Sequence, residues 1–293
     1  MSINFKFLFQ QTGKLFLFYV MELKGFYYQL PFNKNKVFSI KIFPGYRIKY
    51  AGRGDIAQII YKNQALVKYE KSFEYSTMNL FSTLIKKGDV IIDVGANSGL
   101  YSIFYSKLSG NEGKIFSFEP DPETFLLLKR NLDLNKCSNV NTYNFALSDK
   151  QSKIQMVNFN LERINLQEND SFKYIKEVPE DKIDKGVNYI DAYRLDDLDE
   201  FQNLSVVNII KIDVEGAELL VLKGSRNTIL KHKPVIIFEL SGEWTKRFDY
   251  RPFEVLAFLD SLGYELEEYD FQQWIAKPVS NQGSYQKQNN NLK

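Results

Sequence analysis

The chain is poor in the residues on which much protein chemistry depends. Its 293 residues hold one cysteine, Cys137, and one histidine, His232. A single thiol excludes an intramolecular disulfide and any multi-thiolate zinc or iron–sulfur site. A single imidazole excludes a multi-histidine metal cage. Charge of one sign is lacking too: 38 Lys and Arg against 36 Asp and Glu leave a formal charge of +2. That balance would concentrate neither a nucleic acid nor an anionic membrane, so no nucleic-acid partner is expected. Long apolar runs are also missing. In the Phe- and Leu-rich segment 1–30 the longest, 15–21, has seven residues, far below the roughly 20 that a spanning helix needs. No small-residue cleavage site follows it. The expectation is a cytoplasmic protein. Segment 1–30 reads either as an amphipathic helix lying on a membrane surface or partner, which would make the protein membrane-peripheral, or as a helix packed on its own domain. Chemistry has to come from carboxylates, amides, hydroxyls, lysines and backbone groups.

What is present is a core and a rhythm. Hydrophobic residues make up 44% of the chain and charged residues 25%, which suits a globular domain. Residues 37–43 and 46–50 alternate around Pro44-Gly45 and read as short strands. A helical pattern covers 72–86 and stops at Lys87-Gly88. Strand and helix then alternate, with strands at 90–94, 114–118, 139–146, 206–213 and 235–240. Helices are expected at 98–108, 121–135, 217–231 and 252–262, and a closing pair of strands at 264–270 and 272–277. Asp121 reads as a helix N-cap, with Pro122 at the first helical position. Apolar strands followed by crossover helices predict a parallel sheet covered on both faces. The organisation is therefore an α+β N-terminal extension over 1–70, an α/β domain over 71–278 with an insert at about 150–204, and a polar tail over 279–293. The middle of the insert, with Pro179, Asp181, Asp184 and Gly186, is loop-like and has the length of a functional lid or a disordered insertion. The tail is expected to be disordered.

The first apolar strand runs into Asp93-Val94-Gly95-Ala96-Asn97-Ser98-Gly99 and then into a helix. That strand–turn–helix is the first crevice of a doubly wound sheet, where ligands bind beyond the carboxyl ends of the strands. Asn97 stands where a dinucleotide fingerprint needs its second glycine, and Asp93 would face a diphosphate with negative charge. Both argue for an amino-bearing ligand. The second strand ends at Glu119, placed to accept both hydroxyls of a ribose across the crevice. A nucleoside joined to an amino acid has the outline of S-adenosylmethionine. The fourth strand gathers Lys211, Asp213, Glu215 and Glu218 near one tip, and the fifth ends at Glu239. Buried charges there are expensive unless they pair or function. Ion pairing of Lys211 with a neighbouring carboxylate is the plain structural alternative.

Several motifs occur in order: Asp93-Val-Gly-Ala-Asn-Ser-Gly99, Phe118-Glu-Pro-Asp121, Asn131 with Asn135, Ala146-Leu-Ser-Asp149, Leu195-Asp-Asp-Leu198, and Lys211-Ile-Asp-Val-Glu-Gly-Ala-Glu218 followed by Leu222-Lys-Gly224. Together they resemble the FkbM-type family of class I S-adenosylmethionine-dependent methyltransferases, from about residue 69 to 264. The stretch 152–188 follows no pattern of the family, and 1–35 extends beyond it. The resemblance implies a Rossmann-like, doubly wound, mainly parallel seven-stranded sheet. It implies transfer of a methyl group, most often to a hydroxyl oxygen of a sugar, polyketide or other natural product, so the partner is a small-molecule or glycan acceptor. Carried over by position, Asp93, Gly95 and Gly99 hold the methionine end of the cofactor, and Ala96, Asn97 and Ser98 line the turn. Glu119 holds the ribose. Ala146 and Leu147, at the tip of the third strand, border the adenine, with Asp149 near its amino group, and Asp213 sits beside the sulfonium and the acceptor.

Asp213, Glu239 and Lys211 are the candidate catalytic residues. Either Asp213 or Glu239 takes the acceptor's proton, or Asp213 orients the acceptor hydroxyl. His232 precedes the fifth strand, at the amino ends, and is read as a solvated loop histidine remote from the ligand. Asp213, Glu215 and Glu239 can converge as oxygen ligands, but the spacing demands no metal and none is expected. Glu70, beside Tyr69, either reaches the site mouth or is a helix-start carboxylate. Two other readings are a nicotinamide-dependent reductase, disfavoured by Asp93 and Asn97, and a catalytically silent binding module, disfavoured by the intact carboxylate set.

Overall fold

A computed structural model describes residues 37–51, 75–158, 173–179, 182 and 189–279. The expectations for segment 1–30, for Tyr69 and Glu70, and for residues 280–293 of the tail lie outside the described residues. The described residues open with an antiparallel hairpin, β1 (Val37–Phe43) and β2 (Tyr46–Ala51), turned at Pro44-Gly45. Helix α1 (Tyr75–Leu84) precedes β3 (Val90–Val94), α2 (Leu100–Ser109), β4 (Lys114–Phe118), α3 (Pro122–Leu134) and β5 (Val140–Tyr143). Four short strands follow: β6 (Ala146–Leu147), β7 (Ser152–Asn158), β8 (Lys173–Val178) and β9 (Ile190–Tyr193). After the short helix α4 (Asp199–Gln202) come β10 (Ile209–Ile212), α5 (Glu218–Gly224), α6 (Arg226–His232) and β11 (Val235–Glu239). The described residues close with α7 (Gly242–Thr245), α8 (Pro252–Ser261), β12 (Tyr264–Asp270) and β13 (Gln273–Pro278).

The main sheet has seven strands in the order β12-β13-β11-β10-β3-β4-β5, and only β13 runs against its neighbours. This is the mainly parallel, doubly wound α/β architecture expected from the sequence. Its central strands are apolar on both faces because both faces are covered. Val90, Ile92, Val94, Phe116, Phe118, Ile210, Ile212 and Phe238 join one core with α5, α6 and α8. Ile91, Ile115, Ile209 and Ile237 join the other with α2, α3 and the hairpin residues Ile40, Ile48 and Tyr50. Strands β3 and β10 are neighbours while the chain winds outward from them in opposite directions. Their carboxyl ends are the switch point at which such sheets bind ligands.

Three local expectations change. The third strand stops at Tyr143, because the Asn144 side-chain amide donates to the carbonyls of Glu119 (2.9 Å) and Pro120 (3.1 Å) and turns the chain out of the sheet. Ala146 and Leu147 therefore leave the tip of that strand and pair in parallel with β9 in a second sheet, ordered β6-β9-β7-β8. Strands β7, β8 and β9 of that sheet belong to the insert; positions 181, 184 and 186 of its loop-like middle lie outside the described residues. The predicted helix 217–231 is two helices, broken at Ser225, where Gly224 lies against the Ser148 backbone carbonyl so closely that a Cβ would collide with it. His232 ends α6 at the amino side of β11. It is half-buried rather than solvated, and burial holds its imidazole below the usual histidine range.

Candidate active site

The turn after β3 is built for a tight fit. Gly95 and Gly99 adopt φ of +78° and +90°, a region that glycine enters without penalty. Gly95 is also needed for space, because a Cβ there would overlap the Asp213 carbonyl. A Cβ on Gly99 would come within 2.7 Å of Leu128 on α3. Asn97 takes φ of +49°, which a short amide side chain tolerates, and its Oδ1 accepts from Ser98 N–H at 2.7 Å. The backbone N–H groups of Gly95 and Ala96 both donate to the Phe118 carbonyl. Glu119 completes the turn. Its carboxylate accepts from Asn97 N–H and from Asp121 N–H, each at 2.9 Å. A carboxylate has about four acceptor positions, so these bonds are compatible with a ribose on the same group. Asp121 is the N-cap of α3, accepting from Thr124 N–H at 2.9 Å.

Beneath the turn lies a row of polar side chains that register brings together. Lys211, Asp93 and Ser117 are opposite one another on β10, β3 and β4. Ser102 from α2 donates to Asp93 Oδ2 at 2.6 Å and accepts from Ser117 Oγ at 2.9 Å. Lys211 Nζ stands 3.8 Å from Asp93 Oδ1, 3.1 Å from Asp213 Oδ2 and 4.9 Å from the centre of the Tyr101 ring. Asp93 is fully buried, and its Oδ1 accepts no hydrogen bond. Burial raises its carboxyl group above the usual range, and Lys211 works against that shift. The Lys211 ammonium is thus the positive charge that faces Asp93 Oδ1 beneath the turn.

Beyond the last register pair of β10 and β11, Ile212 with Phe238, come Asp213 and Glu239. Burial, and then the Asp213 and Glu215 charges, push the Glu239 carboxyl well above the usual carboxylate range. Burial, and then the Asp213 and Glu218 charges, raise Glu215 to about 8; burial raises Glu218 to about 7 against the backbone N–H groups that it accepts from. Glu218 serves the turn itself, accepting from Gly216 N–H at 3.1 Å. The Tyr250 hydroxyl donates to the Gly216 carbonyl. Among the described residues, no group of three or more His, Cys, Asp or Glu side chains has the arrangement to hold a metal ion. No described helix is long and apolar enough to cross a membrane.

Asp93, Gly95, Ala96, Asn97, Ser98, Gly99, Glu119, Lys211, Asp213 and Glu239 thus come together at one end of the sheet, from strands far apart in the chain. Ala146 and Leu147 do not stand at the tip of β5; both are buried in β6. His232 lies at the opposite end. Sequence reasoning missed Ser102, Ser117, Tyr50 and Tyr250, hydroxyl groups on no recognisable motif. Asn131 and Asn135 were visible as motif residues without a role. The structure gives them one, as clamps on the backbone of β2.

The family model described as the methyltransferase FkbM domain matches residues 93–266. "Methyltransferase 1" of Beauveria bassiana is 32% identical over 143 residues, covering 46% of this chain and 57% of that protein. "Methyltransferase sdnD" of Sordaria araneosa is 32% identical over 213 residues, covering 65% of this chain and 78% of that one. "Hexuronic acid methyltransferase AglP" of Haloferax volcanii is 29% identical over 164 residues, covering 56% and 61%. The chain therefore spans less than two thirds of the Beauveria and Haloferax proteins.

Proposed function

Because the chain belongs to the FkbM methyltransferase family, and so is an enzyme whose methyl donor is S-adenosylmethionine, we propose that it methylates a hydroxyl oxygen of a sugar, glycan or other natural product. Family membership sets aside the nicotinamide-dependent and catalytically silent readings. When bound, S-adenosylmethionine supplies an electrophilic methyl group and the leaving group for its transfer. The turn of Gly95, Ala96, Asn97, Ser98 and Gly99 would hold its methionine end above Asp93, and Glu119 its ribose. The segment 144–149 leaving β5 would border the adenine.

The observation that carries the reading is the place of Asp213, one residue past β10 and beside the turn, ion-paired with the buried Lys211. Asp213 is about a third exposed, enough to meet an acceptor. Lys211 at 3.1 Å fixes its Oδ2. Asp213 then accepts the acceptor's hydroxyl hydrogen bond, aligns the oxygen, and receives the proton as the new carbon–oxygen bond forms. Alignment and proton removal are what a methyl transfer asks of the protein. The Haloferax relative's name points the same way, since a hexuronic acid offers only oxygen nucleophiles.

The test is transfer of labelled methyl groups from S-adenosylmethionine to a panel of sugars, uronic acids, glycans and natural products. A methyl ether product is expected. Asp213→Asn should lower turnover by about 10²- to 10⁴-fold while leaving S-adenosylhomocysteine affinity within a few fold. Unchanged turnover would remove Asp213 from the reaction.

A further inference from the structure

The N-terminal hairpin is bonded to the turn after β3 rather than simply packed beside it. Asn131, projecting from α3, accepts from Ala51 N–H at 2.7 Å and donates to the Ala51 carbonyl at 3.0 Å. The same amide nitrogen donates to the Ser98 carbonyl at 2.8 Å. One residue before Ala51, the Tyr50 hydroxyl is hydrogen-bonded to Ser98 Oγ. Ser98 is thus held at both its carbonyl and its hydroxyl. Tyr50 and Asn131 are fully buried, and Ser98 is 2% exposed.

From Ser98 the bonding runs on toward the crevice. Ser98 N–H donates to Asn97 Oδ1, and Asn97 N–H donates to Glu119 Oε2. Asn97 and Gly99, on either side of Ser98, both have positive φ, so the turn is a conformation that a free loop would visit only part of the time. A site that is competent part of the time binds with its affinity reduced by that fraction. Packing of the hairpin needs only the tyrosine ring; Ile40 and Ile48 already bury that face. A buried hydroxyl without a partner costs free energy, and here the partner is in the turn.

We infer that Tyr50 is a positioning residue for the cofactor site: through Ser98 it holds the Asn97–Glu119 arrangement in its binding conformation before the cofactor arrives. The inference rests on the proposal that this turn holds S-adenosylmethionine. It gives the hairpin, which lies outside the residues 93–266 matched by the family model, a part in the reaction. Asn135 supplies a built-in comparison. It clamps Lys49 by the same pair of bonds, at 2.9 and 2.6 Å, and its remaining bond goes to the Asn131 carbonyl on α3, not to the turn.

The experiment is calorimetric titration of S-adenosylhomocysteine into the full-length protein, with thermal melting of each variant in parallel. Tyr50→Phe keeps the ring and should weaken binding about five- to tenfold, the scale of one buried hydrogen bond. Ser98→Ala should weaken it similarly, and the double variant should be no weaker than the worse single one, as expected for a coupled pair. Asn135→Ala should lower the melting temperature with affinity within about twofold. Wild-type affinity in Tyr50→Phe, or additive losses in the double variant, would overturn the inference. So would equal affinity losses in Tyr50→Phe and Asn135→Ala at equal destabilisation, because the hairpin would then be only a brace. If the unaltered protein binds no S-adenosylhomocysteine, the cofactor assignment of the turn falls first, and this inference with it.

Discussion

Lys211 and Asp93 are register partners on adjacent parallel strands, with Nζ 3.8 Å from Oδ1 in a layer that water barely reaches. The same ammonium stands 3.1 Å from Asp213 Oδ2. One cation therefore serves two carboxylates, one beneath the cofactor turn and one facing the crevice. Removing it leaves buried negative charge uncompensated. Lys211→Met is expected to cost about 3–5 kcal/mol of stability, read by chemical denaturation. Asp93→Asn combined with Lys211→Met should recover part of the loss. A neutral Lys211→Met would contradict the pairing.

The acid cluster predicts a slope of stability against pH. Glu218 and Glu215 are raised from 4.5 to about 7 and 8, and Glu239 is raised as well. A carboxyl group with a raised folded-state value keeps its proton in the folded protein after the unfolded chain has lost it. Its contribution is full below the unfolded value and is lost as pH climbs through the folded one. Between pH 5 and 7 the ligand-free protein should therefore lose stability as pH rises, by about 1.4 kcal/mol per pH unit for each proton the folded state retains. Glu239→Gln removes one such proton and should flatten the slope. Urea unfolding at several pH values measures it, and a slope of opposite sign would refute the raised values.

Gly95 and Gly88 separate the two reasons for a glycine. Both have positive φ, +78° and +84°, so alanine costs each about 1–3 kcal/mol of backbone strain. A Cβ on Gly88 meets nothing within 4 Å, whereas one on Gly95 overlaps the Asp213 carbonyl. Gly88→Ala should be a mildly destabilised protein with unchanged S-adenosylhomocysteine binding. Gly95→Ala should displace the Asp213 backbone and abolish binding or folding. Equal behaviour of the two variants would mean that the approach of the β3 turn to β10 is not needed.

Much of this was legible in the sequence, and the reasons for the rest are physical. The strands at 90–94 and 114–118 and the helix capped by Asp121 follow from local apolar runs and capping chemistry. So do the acids at strand ends, since topology carries carboxyl ends to one rim once the sheet is parallel. The break at Ser225 was not legible, because the apolar pattern runs on through Gly224 and the interruption comes from the Ser148 carbonyl, distant in the chain. The exit at Asn144 was hidden likewise, in side-chain bonds to the turn after the preceding strand, β4. The Lys211–Asp93 pairing depends on which strands are neighbours, and Tyr50 depends on where the hairpin docks. Neither leaves a mark in periodicity.

The most direct test is a crystal structure of the protein with S-adenosylhomocysteine. The account predicts the ribose hydroxyls against Glu119, the amino-acid end over the 95–99 turn and Asp93, and the sulfur toward Asp213. Density for the nucleoside at any other part of the molecule would contradict it.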